Sequence, residues 1–121
     1  MSRGPPPQSA LAAALKIALA RGLVTRCMRE RGSVCDFMIH IAGYTAVITV
    51  VRSRRLHGSP AEMAAQAADP IARIRLVPED PCRTREVWFC SPHGILRFFR
   101  VLNNGIIELD REGKPLENPR E

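Results

Sequence analysis

Acidic side chains are scarce in the first half of this 121-residue chain. Residues 1–57 contain nine Lys or Arg and two acids, a net charge of +7, whereas residues 58–121 carry a net charge of −1. This asymmetry is typical of a surface that faces a polyanion, although a merely solvated basic surface is the alternative. Lysine is scarce as well: sixteen of the eighteen bases are arginine, which suits bidentate phosphate contacts but also follows from GC-rich coding.

Long apolar runs are missing. The longest candidate, residues 37–51, is shorter than the roughly 18 to 20 residues of a membrane helix and is interrupted by His40 and Gly43. We therefore expect a domain core and no membrane partner. The N-terminal segment lacks the Leu-rich stretch and cleavage site of a secretory signal. It is basic and Ala-rich like a transit peptide, but it leads into the domain without a polar break, so we expect a cytoplasmic protein.

Cysteines are few, and their spacing is not that of a zinc knuckle, which needs C-x2-C pairs. The sequence has two C-x7-C pairs, Cys27 with Cys35 and Cys82 with Cys90. Cys27 and Cys35 could meet across a three-residue loop. In a cytoplasmic protein the default is a reduced thiol, so we expect free cysteines and no zinc.

Cap and turn residues divide the chain into one α/β domain, residues 9–111, between a disordered arm (residues 1–8) and a polar tail (residues 112–121). Ser9 predicts the N-cap of a helix over residues 10–21. Strands over residues 23–30, 34–41 and 44–51 then form an antiparallel meander, and the last two are joined by a two-residue turn at Ala42 and Gly43.

The second half predicts a further helix and further strands. Ser59 and Pro60 predict the start of a helix over residues 61–68, and Asp69-Pro70 is expected to end it. Residues 71–77 fit a strand or a helix. A strand over residues 86–90 and a hairpin of residues 95–102 and 106–110 complete the domain as a mixed sheet.

The meander also places polar residues opposite one another. A turn at residues 42–43 brings Asp36 opposite Thr49, and strand alternation puts Asp36, Thr49 and Val51 on one face. This layout resembles the core of the PD-(D/E)xK nuclease superfamily, which includes archaeal Holliday-junction resolvases and many restriction enzymes. The order helix, three strands, helix, strand over residues 9–107 is similar to the topology of that superfamily, so the resemblance implies a restriction-endonuclease-like core.

In the superfamily, an Asp opens the hairpin and a Glu-x-Lys triplet faces it, and the carboxylates hold a divalent metal. Here Thr49 and Val51 stand at the Glu and Lys positions. The resemblance therefore implies a degenerate site without catalytic residues, in which Asp36 is the one candidate metal ligand with the carbonyl of Val50. The alternative for Asp36 is a carboxylate paired with Arg26, Arg29 or Arg52.

Arginines cluster around this hairpin, and the resemblance places the loop over residues 52–58, here named the arginine loop, beside a substrate groove. We expect a non-catalytic protein that binds nucleic acid, with DNA as the first candidate, and that needs no cofactor. The residues expected to contact phosphates are Arg26, Arg29, Arg31, Arg52, Arg54 and Arg55.

Two alternatives remain open. An active nuclease would need Mg²⁺ and a second carboxylate, such as Glu30 or Glu86. A structural or interaction subunit would have no nucleic-acid role. We expect His40 to be packed or hydrogen-bonded in the core. A last group of side chains is expected to supply core contacts, with an exposed remainder for a homodimer interface; these are the aromatic residues Trp88, Phe89, Phe98 and Phe99.

Overall fold

The structure is a computed structural model that describes residues 7–27 and 34–116. This part of the chain contains three helices and six strands, which confirms the predicted α/β class with an N-terminal helix, a meander and a C-terminal hairpin. In chain order they are α1 (Pro7–Arg21), β1 (Leu23–Arg26), β2 (Phe37–Ile41), β3 (Tyr44–Arg52), α2 (Pro60–Gln66), α3 (Ala68–Ile74), β4 (Arg83–Cys90), β5 (Leu96–Val101) and β6 (Ile106–Leu109). No helix in this part is long and apolar enough to cross a membrane.

The six strands form one mixed sheet in chain order, β1-β2-β3-β4-β5-β6. All neighbours are antiparallel except β3 and β4, which are parallel. A parallel pair needs a crossover connection, and α2 and α3 supply it. The carboxyl ends of β1, β3 and β4 therefore lie at one end of the sheet.

The predicted hairpin register is confirmed. Ile41 pairs with Tyr44 and Phe37 pairs with Ile48, so the turn consists of residues 42 and 43. Gly43 has φ 96°, a left-handed conformation that glycine adopts without steric cost. Strand β2 begins at Phe37, so Asp36 lies one residue before the strand that was expected to contain it.

Both faces of the sheet are buried, because successive strand side chains point in opposite directions and helices cover each side. One face packs against α1, and its buried residues are Ala14, Ala18, Phe37, Ile39, Ala46, Ile48, Trp88, Phe98 and Leu109. The other face packs against α2 and α3, and its buried residues are Val47, Met63, Ala67, Ile71, Ile74, Val87, Phe89, Phe99 and Val101.

The four aromatic residues of β4 and β5 divide between these two cores. Trp88 stands edge-on to Phe98 at 4.8 Å between ring centroids, and Phe89 stands edge-on to Phe99 at 5.5 Å. All four are at most 6% exposed. The prediction of core aromatics is confirmed, but the expected exposed remainder for a homodimer contact is wrong, because helices cover both faces.

Two predicted helix ends are wrong. Helix α1 begins at Pro7, so Ser9 lies inside it and is not its N-cap. Asp69-Pro70 does not end a helix. Both residues lie in the first turn of α3, where the missing N–H of Pro70 removes no helical hydrogen bond. The predicted start of α2 is confirmed, since Ser59 caps it and forms a reciprocal capping box with Glu62.

Residues after Arg111 return to the sheet instead of leaving it. Leu109 pairs with Pro115, and the N–H of Leu116 donates to the Glu108 carbonyl at 3.1 Å. The first residues assigned to a polar tail are thus tied to β6.

Cys27 and Cys35 are joined by a disulfide across the link between β1 and β2. The expectation of reduced thiols is wrong for this pair. Cys82 and Cys90 are free thiols; the first is exposed and the second is buried.

Candidate nucleic-acid interface

Asp36 is held by the backbone of β3. Its N–H donates to the Ile48 carbonyl at 2.8 Å, and its Oδ2 accepts from the Val50 N–H at 2.7 Å. No ion pair joins Asp36 to Arg26 or Arg52 among the described residues, so that expected alternative is not found; Arg29 lies outside them. Asp36 therefore ties the chain just before β2 to the backbone of β3, at the end of the hairpin opposite the turn.

The residues at the Glu and Lys positions of the nuclease triplet also have structural contacts. The Thr49 hydroxyl donates to the Val34 carbonyl at 2.9 Å, which fixes the segment just before β2. Val51 packs against the core beneath α2 and α3. Asp36, Thr49 and Val51, the three residues compared with the nuclease motif, thus all stabilise the hairpin.

A divalent metal does not fit these residues. Mg²⁺ is bound through hard anionic oxygens, and only one carboxylate is present here. Glu86 cannot join Asp36, because it is buried on the α1 face, where it accepts from Arg21 at 3.0 Å and from Trp88 Nε1 at 2.8 Å. Glu30, the other carboxylate considered, lies outside residues 7–27 and 34–116, and within those ranges no three His, Cys, Asp or Glu side chains are grouped to hold a metal.

His40 bridges two threonines on neighbouring strands. Its Nε2 lies 2.9 Å from Thr25 Oγ1 and its Nδ1 lies 3.3 Å from Thr45 Oγ1. The ring therefore links β1, β2 and β3 across the meander, which agrees with the predicted hydrogen-bonded histidine.

The topology collects exposed arginines at one end of the sheet. Arg26 ends β1, Arg52 ends β3, and Arg54 and Arg55 follow directly; all four are exposed. Arg26, Arg54 and Arg55 form no ion pair within the described residues. We call these four arginines the basic end. Arg29 and Arg31, the remaining predicted contacts, lie outside the described residues.

The amino-terminal end of α1 reaches the same region. Ala10 lines a small cavity together with Arg52, Cys90 and residues 91–94. Unpaired N–H groups give a helix a partial positive charge at its amino end. This partial charge has the same sign as the arginines and favours an anion near them.

The backbone of the arginine loop is fixed to α2. Ser53 Oγ accepts from the Arg55 N–H at 3.2 Å and lies 2.8 Å from both the Arg55 carbonyl and Gln66 Oε1. Gln66 Nε2 donates to the same carbonyl at 3.5 Å. These contacts use only backbone atoms of Arg55, and the residue is exposed.

A buried ion pair holds the loop from beneath. Arg97 donates to both carboxylate oxygens of Glu108, at 2.9 and 2.6 Å, and its Nη1 donates to the carbonyls of Leu56 and Gly58 at 2.6 and 3.0 Å. Its guanidinium carbon also lies 5.0 Å from the ring centroid of Phe99. The pair fixes where the arginine loop turns toward α2.

Sequence reasoning missed this pair. Arg97, Phe99 and Val101 are every second residue of β5, so their side chains share one face, and both apolar residues are buried. The same alternation places Arg97 on the inward face, and that was the available signal. Charged strand residues are usually exposed, so the pattern alone did not single it out.

Cys90 sits beside Arg52, its register partner on the parallel strand pair. Burial raises the pKa of the Cys90 thiol, and the neighbouring Arg52 charge opposes that increase. A buried thiol with a raised pKa is a poor nucleophile at neutral pH. Cys90 is therefore a packing residue beside the arginines of the basic end.

Comparison with protein-family models gives no match, and neither does a search of curated proteins. The proposal of a function therefore rests on the geometry of the described residues.

Proposed function

We propose that this chain is a non-catalytic nucleic-acid-binding protein, with DNA as the first candidate, whose basic end contacts phosphates without a cofactor. The observation that supports this most is the gathering of four exposed arginines at one end of the sheet, three of them at the start of a loop held by Ser53, Gln66 and Arg97. The antiparallel pairing of β1 with β2 and of β2 with β3 brings Arg26 to the same end as the other three.

Phosphate contact suits this arrangement for two physical reasons. Arginine presents a planar fork of donors that matches two phosphate oxygens. Binding also orders side chains and loops at a cost, and a loop whose backbone is already fixed loses less entropy. The exposed forks of Arg54 and Arg55 on a fixed backbone meet both conditions.

We also propose a relationship to the PD-(D/E)xK nucleases. Its support is the order of helix, three-stranded meander, helical crossover and parallel fourth strand. The hydrogen bonds of Asp36 and Thr49 favour a binding role over the nuclease alternative, because both side chains are already engaged with backbone.

A salt titration with matched variants tests the proposal. Fluorescence anisotropy would measure the affinity for a labelled DNA duplex of mixed sequence between about 50 and 300 mM salt. The slope of log affinity against log salt becomes shallower by about one for each phosphate that the protein no longer neutralises. R54A/R55A is expected to weaken binding to unrelated sequences and to lower the slope by about 2. R73A/R111A, which removes two exposed arginines elsewhere, should leave both unchanged.

Two results would refute this proposal. Equal effects of the two double variants would show that only net charge matters, and no binding by the parent near 50 mM salt would favour the subunit alternative. DNA cleavage with Mg²⁺ or Mn²⁺ that disappears in D36A would instead establish the nuclease alternative.

The proposal extends to location and assembly. We place the protein in the cytoplasm, where thiols are kept reduced, and the Cys27–Cys35 disulfide is the observation that opposes this placement. Fractionation of cells that produce the tagged chain tests this placement, and recovery of the chain outside the cytoplasmic fraction would contradict it. Leu23 and Ile95 are exposed apolar residues available to a homodimer contact, and sedimentation as a monomer at all concentrations would exclude a homodimer.

A further inference from the structure

Helix α1 leaves part of its own face of the sheet uncovered. It packs chiefly against β1 to β4, whereas β5 and β6 lie beyond it. The apolar side chains that β5 presents on this face are Leu96, which is partly buried, and Phe98, which is 6% exposed. Ile95, just before β5, is 61% exposed. An apolar surface therefore stays open between α1 and β5.

A cavity of about 740 Å³, here named the α1 groove, occupies this space. Three of its lining residues on the helix are Ala12, Ala13 and Ala20, whose small side chains leave room between α1 and β5. Ile17 lines the helix side as well, and the three apolar residues just described line the opposite wall. Sites for small molecules are typically cavities of about 300–1,000 Å³ with mainly apolar walls. The volume and the lining of the α1 groove both fit a small molecule.

The α1 groove extends along the helix. Gly94 lines the groove and also the small cavity at the amino end of α1. At the other end Arg111 lines the groove, and its carbonyl accepts from Nε of Arg21, the last residue of α1, at 2.9 Å. A helix rises about 1.5 Å per residue, so the stretch from Ala12 to Ala20 is about 12 Å long. An extended alkyl chain of medium length fits within that distance.

The charged side chains of the α1 groove are basic. Lys16 and Arg111 line it, and no Asp or Glu of the described residues does. Neither base forms an ion pair within residues 7–27 and 34–116. Asp110, the acidic neighbour of Arg111, accepts from the backbone N–H groups of Glu112 and Lys114, both at 2.9 Å. Uncompensated positive charge beside an apolar wall favours an anion with an apolar body.

We propose that the α1 groove binds a medium-chain fatty acid. The carboxylate lies at the end lined by Arg111, with Lys16 on the rim, and accepts charge-assisted hydrogen bonds from these cations. The alkyl chain extends along Ile17 and Leu96 toward Ile95, where it displaces water from apolar surface. The inference does not depend on nucleic-acid binding, since none of the four arginines of the basic end lines the groove.

Isothermal titration calorimetry of the full chain with octanoate, acetate and 1-octanol tests both parts of the ligand. Acetate has the carboxylate without the chain, and 1-octanol has the chain without the charge. We expect one molecule of octanoate to bind. Each buried methylene adds up to about fourfold in affinity, so acetate should bind at least about tenfold more weakly. Octanol should bind about fivefold more weakly than octanoate, because it forms no ion pair with Lys16 or Arg111.

A pair of variants at exposed apolar residues locates the chain. I95E places a charge against the alkyl chain and should weaken octanoate binding at least about tenfold. L76E should leave it unchanged, because Leu76 does not line the groove. Ile95 is 61% exposed and Leu76 is 76% exposed. Both variants should therefore fold, which circular dichroism checks.

A second pair of variants locates the carboxylate. K16Q/R111Q removes both cations of the groove and should weaken octanoate binding about fivefold without changing the affinity for octanol. R54Q/R73Q makes an equal charge change at two exposed residues outside the groove and should leave octanoate binding unchanged. The different response of octanoate and octanol separates a charge contact from a general loss of structure.

Four outcomes would overturn the proposal. The first is no saturable binding of octanoate up to about 10 mM, where even a weak site fills. The second is an equal effect of the two variants in either pair, which would mean that the groove is not the site. The third is octanol binding as tightly as octanoate, which would show that the cations select no anion. The fourth is a parent dimer that I95E converts to a monomer in sedimentation while octanoate does not bind, which would assign the groove to a second copy of the chain.

Discussion

The buried ion pair between Arg97 and Glu108 offers the most direct test of how the arginine loop is held. Their side chains are 7% and 4% exposed. Substitution of Glu108 by Gln keeps the shape of the side chain but removes its charge. The Arg97 guanidinium then remains buried with a neutral partner and the carbonyls of Leu56 and Gly58.

The expected loss of stability is large. Breaking a buried pair by removing one partner costs about 3–5 kcal/mol, because the remaining charge is uncompensated. The total free energy of unfolding of a domain this size is about 5–15 kcal/mol, so E108Q should remove a substantial part of it. R97M/E108L removes both charges and fills the space with apolar atoms, so it should be less destabilised than E108Q.

Urea unfolding of the parent, E108Q and R97M/E108L, followed by circular dichroism, gives these values. R83A serves as control, since it breaks an ion pair whose side chains are 43% and 46% exposed and should cost under about 1 kcal/mol. A loss below about 1 kcal/mol in E108Q would refute the reasoning, as would a double variant less stable than E108Q. If E108Q does not fold, a folded double variant still supports it. R97M/E108L should also bind DNA more weakly, because two loop carbonyls lose their anchor.

Two further predictions concern the hairpin and the basic end. D36A should lower the free energy of unfolding by about 1–2 kcal/mol through loss of the bond to the Val50 N–H. D36N keeps an acceptor, so its free energy of unfolding should stay close to that of the parent. Equal stability of D36A and the parent in urea unfolding would contradict the structural role of Asp36. Because burial raises the pKa of Cys90 in the folded state, its contribution to stability is complete below the unfolded thiol pKa of about 8.5 and is lost as pH rises toward the folded value. Alkylation mapped by mass spectrometry at pH 8 should therefore label exposed Cys82 much faster than Cys90, and C90A should flatten the fall in stability at alkaline pH; equal labelling rates would show that Cys90 is not buried.

Much of the hairpin and cap geometry follows from short stretches of sequence. The turn at residues 42–43, the Ser59 cap and the turn before Ile106 depend on residues within a few positions of one another. Local backbone preferences decide such features, and they were predicted correctly. The start of α1 and the role of Pro70 were not, because a helix end depends on what the chain packs against.

The candidate site was predictable in part. The charge asymmetry and the strand ends indicated that Arg52, Arg54 and Arg55 would lie in solvent near the hairpin, and the structure places them there with Arg26. The offset of the two hairpin strands was predicted, but the role of Asp36 was not, because Asp36 lies just before β2 and its carboxylate accepts from the backbone of β3.

The sequence by itself determined the α/β class, the meander and a basic first half, because alternation, turn residues and charge counts are properties of neighbouring positions. Only the tertiary structure decided which charges became buried and where the arginines gather. Arg21 meets Glu86 across 65 positions and Arg97 meets the Gly58 carbonyl across 39. Contacts of that range depend on strand order and on the parallel β3–β4 pairing. Those features are set by how all elements pack together, which no single stretch of the chain encodes.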